Sequence, residues 1–184
     1  MYLDFRNFKT LLSQFPEPFQ QRVLRLKDVQ QRPDAHPEGD VLIHTIIVFN
    51  RLAKFNNIKL SLTALFHDIG KDVTTKLSEK GILQAIGHEL KSADLVKLHY
   101  SSFERMFLLQ GYSQEEIIHL HSNVLWLVEQ HMRVKGFSIM NPKKQIALAE
   151  HESFGLLHLF TQADSMTNVR EEEINKAKQI IDSL

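Results

Sequence analysis

Three apolar stretches of this chain each carry a side chain of the kind that binds metals, and this feature restricts the fold more than any other. One stretch leads into His67 and Asp68, a second encloses His44, and a third ends at Asp164. A helix that is apolar on nearly every face is surrounded by protein, and burying an unpaired charge is very costly. We therefore expect these four groups to meet in the interior, where a shared metal ion would satisfy them all.

The alternative is that each group has a separate structural role. A lone buried histidine is usually hydrogen-bonded to a carbonyl, and neighbouring histidine and aspartate residues arise by chance in many chains. It is the joint pattern in three separate segments that favours a metal site.

Composition limits the chemistry of such a site. The 184 residues include 10 histidines and no cysteine, so only imidazole and carboxylate side chains can hold a transition metal, and disulfides are excluded. Lys plus Arg and Asp plus Glu both number 22, so the formal charge is zero. There is no obvious polybasic surface for nucleic acid. We expect neither a signal peptide nor a membrane span, and hence a cytoplasmic protein.

The pattern of apolar residues predicts an all-α fold in a single domain, residues 1–184. Glycine and proline are scarce, at 7 and 5, and they cluster between periodic apolar stretches. Asp40 is a predicted N-cap, Ser113 with Glu116 forms a predicted capping box, and Pro142 suits a first helical turn. A short hairpin is expected near Lys80. The predicted helices span about 4–14, 18–30, 41–55, 60–69, 88–110, 114–130, 143–151, 153–165 and 170 onwards.

Two motifs carry a resemblance to a known family. His36-Pro-Glu-Gly-Asp-Val-Leu-Ile-His-Thr45 is followed by Leu65-Phe-His-Asp-Ile-Gly-Lys71, with Asp164 far downstream. This arrangement resembles the H…HD…D signature of the HD superfamily of metal-dependent phosphohydrolases, and is most similar to the HD domain of bacterial CCA-adding enzymes. Segments around His88 and His131 resemble later motifs of that family, although the loop 82–87 departs from its pattern. The resemblance covers about 31–165 and implies a compact helical HD fold with a metal site between central helices, flanked by N-terminal helices and a C-terminal amphipathic helix.

The polymerase motifs of CCA-adding enzymes, a Gly-Ser loop and an Asp-x-Asp pair, have no counterpart here. We therefore expect an HD domain standing alone, which cannot add CCA by itself and whose substrate need not be tRNA.

The resemblance implies a ligand set. His44, His67, Asp68 and Asp164 would hold a first divalent ion, of Mn, Fe, Co, Ni or Zn. His88 and His131 would either bind a second ion, with Asp68 as the bridge and central catalytic group, or donate hydrogen bonds to the substrate phosphate. One ion and two ions both remain open.

Four further residues are candidates for substrate binding. Lys71, also a candidate catalytic residue, and Arg133 could each contact a phosphate, and each could equally be a solvated surface cation. His36 and Glu38, in the loop before His44, are expected to form the rim of the site or to support a ligand. The remaining histidines (His99, His119, His121, His151 and His158) are interpreted as structural or surface residues, and Trp126 as a core residue.

The function predicted first is hydrolysis of a nucleotide-like phosphomonoester or phosphodiester, with a 2′,3′-cyclic phosphate, a 2′-phosphate or an RNA end implied by the resemblance. Two alternatives stay open. An HD-type di-iron oxygenase would use the same four histidines and two aspartates. A non-catalytic nucleotide- or RNA-binding module would keep its metal for stability.

Overall fold

Helices dominate the computed structural model, which describes residues 4–184. Two short antiparallel strands form a hairpin. The predicted all-α class is confirmed. In chain order the elements are α1 (Phe8–Leu12), α2 (Glu17–Leu24), a 3-10 helix (Arg25–Asp28), α3 (Val41–Ala53), α4 (Ile58–Phe66), α5 (Lys71–Thr74), β1 (Lys76–Leu77), β2 (Leu83–Gln84), α6 (His88–Leu98), α7 (Tyr100–Leu108), α8 (Gln114–Gln130), a second 3-10 helix (Val134–Ile139), α9 (Pro142–Ala149), α10 (Phe154–Asp164) and α11 (Glu171–Asp182).

Helices α3 and α4 form the centre of the fold. Every residue of α3 from Val41 to Phe49 is buried, and so is α4 from Leu60 to Phe66. The two helices pack against each other, while α10 and α11 cover α3, and α6 and α8 cover α4. Apolar side chains on all sides of both helices are therefore enclosed, as their sequences predict.

Local signals set several element ends as predicted. Asp40 Oδ1 accepts a hydrogen bond from the Ile43 amide at 2.9 Å and so caps α3. Ser113 and Glu116 form the predicted capping box of α8. The hairpin turns through Gly81, whose φ of +71° favours glycine.

The single helix predicted over 88–110 is wrong. Two helices, α6 and α7, are separated at His99, which has φ −94° and ψ 14° and therefore leaves the helical region. The His99 ring packs edge-on against Phe19, with centroids 4.7 Å apart. The break turns α7 so that Phe103 and Phe107 are buried. Apolar spacing does not reveal it, because both halves keep a helical repeat.

Three other boundaries differ from prediction. The first helix is shorter than 4–14, the second ends in a 3-10 turn, and the expected loop 131–141 contains a 3-10 helix. In the part of the chain that the structure describes, no helix is both long and apolar enough to cross a membrane.

Arg51 joins the C-terminal elements to the central helix α3. Its guanidinium donates to both carboxylate oxygens of Glu173 in α11, at 2.7 and 3.0 Å. It also donates to the carbonyls of Ala163 and Ser165, at 3.0 and 2.7 Å. These carbonyls lie on either side of Asp164, so this arginine helps to fix the end of α10 that carries a predicted ligand.

We predict that Glu173→Gln destabilises the protein in a pH-dependent way. The Arg51 hydrogen bond lowers the pKa of Glu173 from 4.5 to about 2. A depressed pKa gives stability that is present above the unfolded value and is lost as the pH falls towards 2. At pH 7 the variant should lose about 1–3 kcal/mol of unfolding free energy. Urea unfolding should show this difference shrinking below pH about 4.5.

Glu172→Gln is the matched control on the same helix. Its side chain is 71% exposed and pairs with Arg170, so its loss should stay within about 0.5 kcal/mol. Equal effects of the two variants, or a Glu173 effect that does not change with pH, would contradict this assignment.

Candidate metal centre

Four ligand-type atoms from α3, α10 and the end of α4 converge in the interior. His44 Nε2 lies 3.0 Å from Asp164 Oδ1, 3.3 Å from His67 Nε2 and 3.4 Å from Asp68 Oδ2. His67 Nε2 lies 3.2 Å from the same Asp68 oxygen. All four residues are buried. The structure thus brings together the four groups that the apolar segments predicted would meet.

A second group of three lies against the other oxygen of Asp68. His88 Nε2 is 3.1 Å from Asp68 Oδ1 and 3.2 Å from His131 Nε2. His131 Nε2 is 3.9 Å from the same oxygen. Asp68 therefore faces two sets of imidazoles with its two oxygens, the arrangement that a bridging carboxylate requires.

The hydrogen bonds of the imidazoles suit metal binding. Each of the four rings uses Nδ1 in a bond directed away from the centre, so that Nε2 is the atom that a neutral ring would offer to a metal ion. The Nε2 atoms lie in two pairs, 3.3 Å apart for His44 and His67 and 3.2 Å apart for His88 and His131, and a cation beside each pair would satisfy both of its atoms. The Nδ1 partners are Glu38 Oε1 for His44 at 2.7 Å, Ala64 O for His67 at 3.0 Å, Ala85 O for His88 at 2.6 Å and Val128 O for His131 at 2.7 Å.

Gly70 allows the two groups to approach each other. It follows His67 and Asp68 at the end of α4, and its amide donates to Ser92 Oγ in α6 at 3.0 Å. A Cβ added there would lie 2.6 Å from the carbonyl oxygen of His88 and 2.8 Å from the Ser92 nitrogen. Only glycine lets α6 pack this closely against the turn.

Glu38 supports His44 from outside the group of ligand atoms. It is buried, and its Oε1 accepts from His44 Nδ1 at 2.7 Å and from His36 Nδ1 at 2.9 Å. Burial raises the pKa of Glu38, but these two bonds outweigh it and bring the pKa down to about 2. A permanently charged carboxylate here orients the imidazole of His44 and increases its basicity.

Two lysines balance the central carboxylates. Lys71 Nζ lies 2.7 Å from Asp68 Oδ2, and Lys135 Nζ lies 2.9 Å from Asp164 Oδ2. Burial raises the pKa of each aspartate, but neighbouring histidine and lysine charges outweigh it and hold both values well below the ordinary range. Lys71 was a predicted site residue. Lys135, in the second 3-10 helix, was missed, since a lone lysine outside the motifs gives no sequence signal.

The electrostatics of the histidines differ. Burial lowers the pKa of His131 to about 3, which keeps the ring neutral, as a metal ligand must be. Burial also lowers the pKa of His44, but bonds to Asp164 and Glu38 outweigh it and raise the net value.

Other predicted residues fall into two groups. His36 and Lys71 line a cavity beside the centre, together with His88. Arg133 is exposed and donates to Gln130 Oε1 at 2.7 Å, and it is not among the residues that line this cavity. Its proposed phosphate contact stays a prediction.

The histidines outside the motif lie away from the centre, as interpreted. His121 packs edge-on against Tyr100, and the partly buried Trp126 stacks on His151 at 3.7 Å. His119 and His158 are exposed.

Fold and site together define an all-α protein with a buried histidine–aspartate centre able to hold a divalent metal. The sequence model of the HD domain family matches residues 41–182, most of the chain, and the chain belongs to this family. Glu38 and His36 lie just before the match.

The curated relatives match a shorter region. The chain is 40% identical over 73 residues to the Multifunctional CCA protein of Paraburkholderia phymatum, covering 39% of this chain and 17% of that protein. It is 39% identical over 70 residues to the Multifunctional CCA protein of Burkholderia mallei, covering 38% and 16%. The alignment thus spans about one sixth of these relatives. None of the solved structures compared with the chain matches it.

We predict that Gly70→Ala loosens the centre. The added methyl group would meet the backbone of α6, and the strain should cost about 1–3 kcal/mol of unfolding free energy. Metal affinity should fall as well, because α6 carries His88. Thermal unfolding and metal titration would measure the two effects.

Gly155→Ala is the matched control, since a Cβ on this helical glycine has no neighbour within 4 Å. It should leave stability unchanged or raise it slightly. If Gly70→Ala behaves in the same way, the close packing at Gly70 is not the constraint we describe.

We also predict that Glu38→Gln weakens metal binding. The amide keeps the size of the side chain but loses the charge that supports His44, so affinity should fall about 10–100-fold. Isothermal titration with Mn²⁺ or Zn²⁺ measures it, with the exposed Glu17→Gln as a control. Unchanged affinity for Glu38→Gln would exclude a supporting role.

Proposed function

We propose that this chain is a metal-dependent phosphohydrolase that acts on a nucleotide-like phosphate ester. The proposal rests on the position of Asp68, whose two oxygens face two different groups of imidazoles. A lysine lies beside this carboxylate, and a cavity lies next to the centre. Clustered ligands that can hold a metal ion, positive charge beside them and adjacent space for a substrate together suit metal-dependent hydrolysis of a phosphate ester.

The proposed ligand sets follow the geometry. His44, His67, Asp68 Oδ2 and Asp164 would hold one ion, while Asp68 Oδ1, His88 and His131 would hold a second. Imidazole with carboxylate suits Mn, Fe, Co, Ni or Zn. A bound divalent ion lowers the pKa of its water and polarises a phosphoryl oxygen.

The residues around these ligands would hold the ligands in position or bind the substrate. Glu38 keeps His44 in the ligating tautomer, and Lys135 orients Asp164. Lys71 holds Asp68 in place and adds positive charge on the side of the cavity, where an anionic ester would bind. His36, fixed by Glu38 in the cavity wall, is placed to contact the same phosphate.

The size of the cavity favours a substrate larger than inorganic phosphate. Its volume is about 470 Å³, within the range of pockets that hold small organic ligands. A nucleoside attached to the phosphate would use this space. Because the curated relatives are CCA proteins, esters at RNA ends, including 2′,3′-cyclic phosphates and 2′-phosphates, are the first substrates to test.

A di-iron oxygenase is the second candidate, because four histidines and two aspartates with a central carboxylate also suit two iron ions. Lys71, which lies beside Asp68 and lines the cavity, fits an anionic substrate and favours the phosphohydrolase. About two irons per chain with oxygen uptake and no phosphate chemistry would reverse this order.

We predict metal-dependent turnover that requires Asp68. The assay is hydrolysis of bis-p-nitrophenyl phosphate, p-nitrophenyl phosphate and 2′,3′-cyclic AMP with added Mn²⁺, Co²⁺ or Ni²⁺. Asp68→Asn keeps the size of the side chain but removes its charge, and turnover should fall at least about 100-fold. Comparing the three esters shows whether the enzyme prefers diesters or monoesters.

Asp94→Asn is the control, since Asp94 is exposed on α6 and pairs only loosely with Lys91 at 3.7 Å. It should retain full turnover. Bound metal without turnover of any ester would favour a binding module, and absence of bound metal would refute the centre as described.

A further inference from the structure

The cavity beside the metal centre has one wall that neither the motifs nor the family match explains. Gln30, Gln31 and Arg32, from the segment after the first 3-10 helix, line it together with His36, Lys71 and His88. Leu83 and Ile86 from the hairpin side, and Met132 from the segment after α8, supply apolar surface to the same cavity. A substrate in this space would therefore contact Gln31 and the metal centre together.

The orientation of the Gln31 amide is fixed by its neighbour. The residue is only 9% exposed, and its Oε1 accepts a hydrogen bond from Lys71 Nζ at 2.7 Å. A lysine ammonium has donors and no acceptor, so the amide oxygen must face it. The amide NH₂ group, Nε2, must then point away from Lys71.

This NH₂ group has no partner. Among residues 4–184, Gln31 Nε2 is one of a few buried side-chain atoms without a hydrogen bond. An unsatisfied buried donor is costly, and native proteins rarely keep one without a reason. A donor left free on a residue that lines a cavity points to an acceptor supplied by a ligand.

Lys71 is already largely occupied. Its Nζ contacts both Asp68 Oδ2 and Gln31 Oε1, each at 2.7 Å. One of its three N–H donors is used by Gln31, and its charge is already paired with Asp68. A phosphate ester bound next to this lysine would therefore benefit from a further donor. Gln31 is close enough to supply one, because Lys71 contacts both Gln31 and Asp68.

We propose that Gln31 is a substrate-binding residue whose Nε2 donates a hydrogen bond to a phosphate oxygen of the ester, in an orientation set by Lys71. This inference rests on the proposed function for the nature of the ligand. It adds a residue outside the HD motifs and outside the matched region 41–182. It also gives Lys71 a second task, the positioning of the amide.

The test compares two substitutions that both remove the NH₂ donor, of which only one leaves an oxygen for Lys71. Gln31→Glu keeps an oxygen for Lys71 but replaces the NH₂ donor with a second acceptor, which repels phosphate. Gln31→Met has a similar length and removes both groups. If the donor binds phosphate, both variants should bind inorganic phosphate about tenfold or more less tightly than the wild type when loaded with Mn²⁺. Gln31→Glu should bind phosphate less tightly than Gln31→Met. Isothermal titration measures this without any turnover.

Three controls accompany the titration. Metal content and melting temperature must match the wild type, which excludes misfolding or metal loss. Gln21→Glu, on an exposed residue of α2, introduces the same charge away from the cavity and should bind phosphate as the wild type does. KM for bis-p-nitrophenyl phosphate should rise more than kcat falls for both Gln31 variants.

Other results of the titration would each lead to a different conclusion. If Gln31→Glu binds phosphate normally while Gln31→Met does not, Gln31 only anchors Lys71 and the proposal is overturned. Normal binding in both variants, or no phosphate binding by the wild type, overturns it as well. If phosphate binding depends on Gln31 but no ester is hydrolysed, the hydrolase assignment fails while the binding site stands.

Discussion

The buried carboxylate of Asp68 is the group around which the rest of the structure is organised. It is 2% exposed, and imidazoles of His44 and His67 lie on one side of it and that of His88 on the other. Burying such a charge is unfavourable unless partners surround it. Those partners come from α3, the end of α4 and α6, so satisfying a single carboxylate requires these elements to assemble in one relative position.

Much of this arrangement could be predicted, because a charge in an apolar helix has few explanations. His44 is the single ionisable residue among the apolar side chains of its stretch, and Asp164 ends another such stretch. Their need for partners is a physical constraint that follows from the residue types and their apolar neighbours alone. The HD motifs added the ligand set, and Gly70 in that motif has a physical reason, the close approach of α6.

Other features left no trace in the sequence, because they depend on the path of the chain in space. Gln31 and Lys71 are 40 positions apart, and Lys135 reaches Asp164 from the second 3-10 helix. Gln31 and Lys135 do not interrupt an apolar stretch, so the sequence gives no reason to single them out. The break at His99 was hidden for a related reason: the His99 ring packs against Phe19, a residue distant in sequence, while the apolar repeat continues on both sides of the break.

The lysines account for a further property of the centre. Asp68 and Asp164 each have an ammonium group within 2.9 Å, so part of their charge is balanced by the protein itself. Each imidazole already uses Nδ1 in a bond outside the centre, so Nε2 is the atom left to bind a metal ion. A metal ion would therefore be held through these Nε2 atoms, while the lysines keep the carboxylates in place. Because Lys71 serves Asp68 and Gln31 at once, the ligand cluster and the cavity wall are connected through one side chain, and neither can shift without the other.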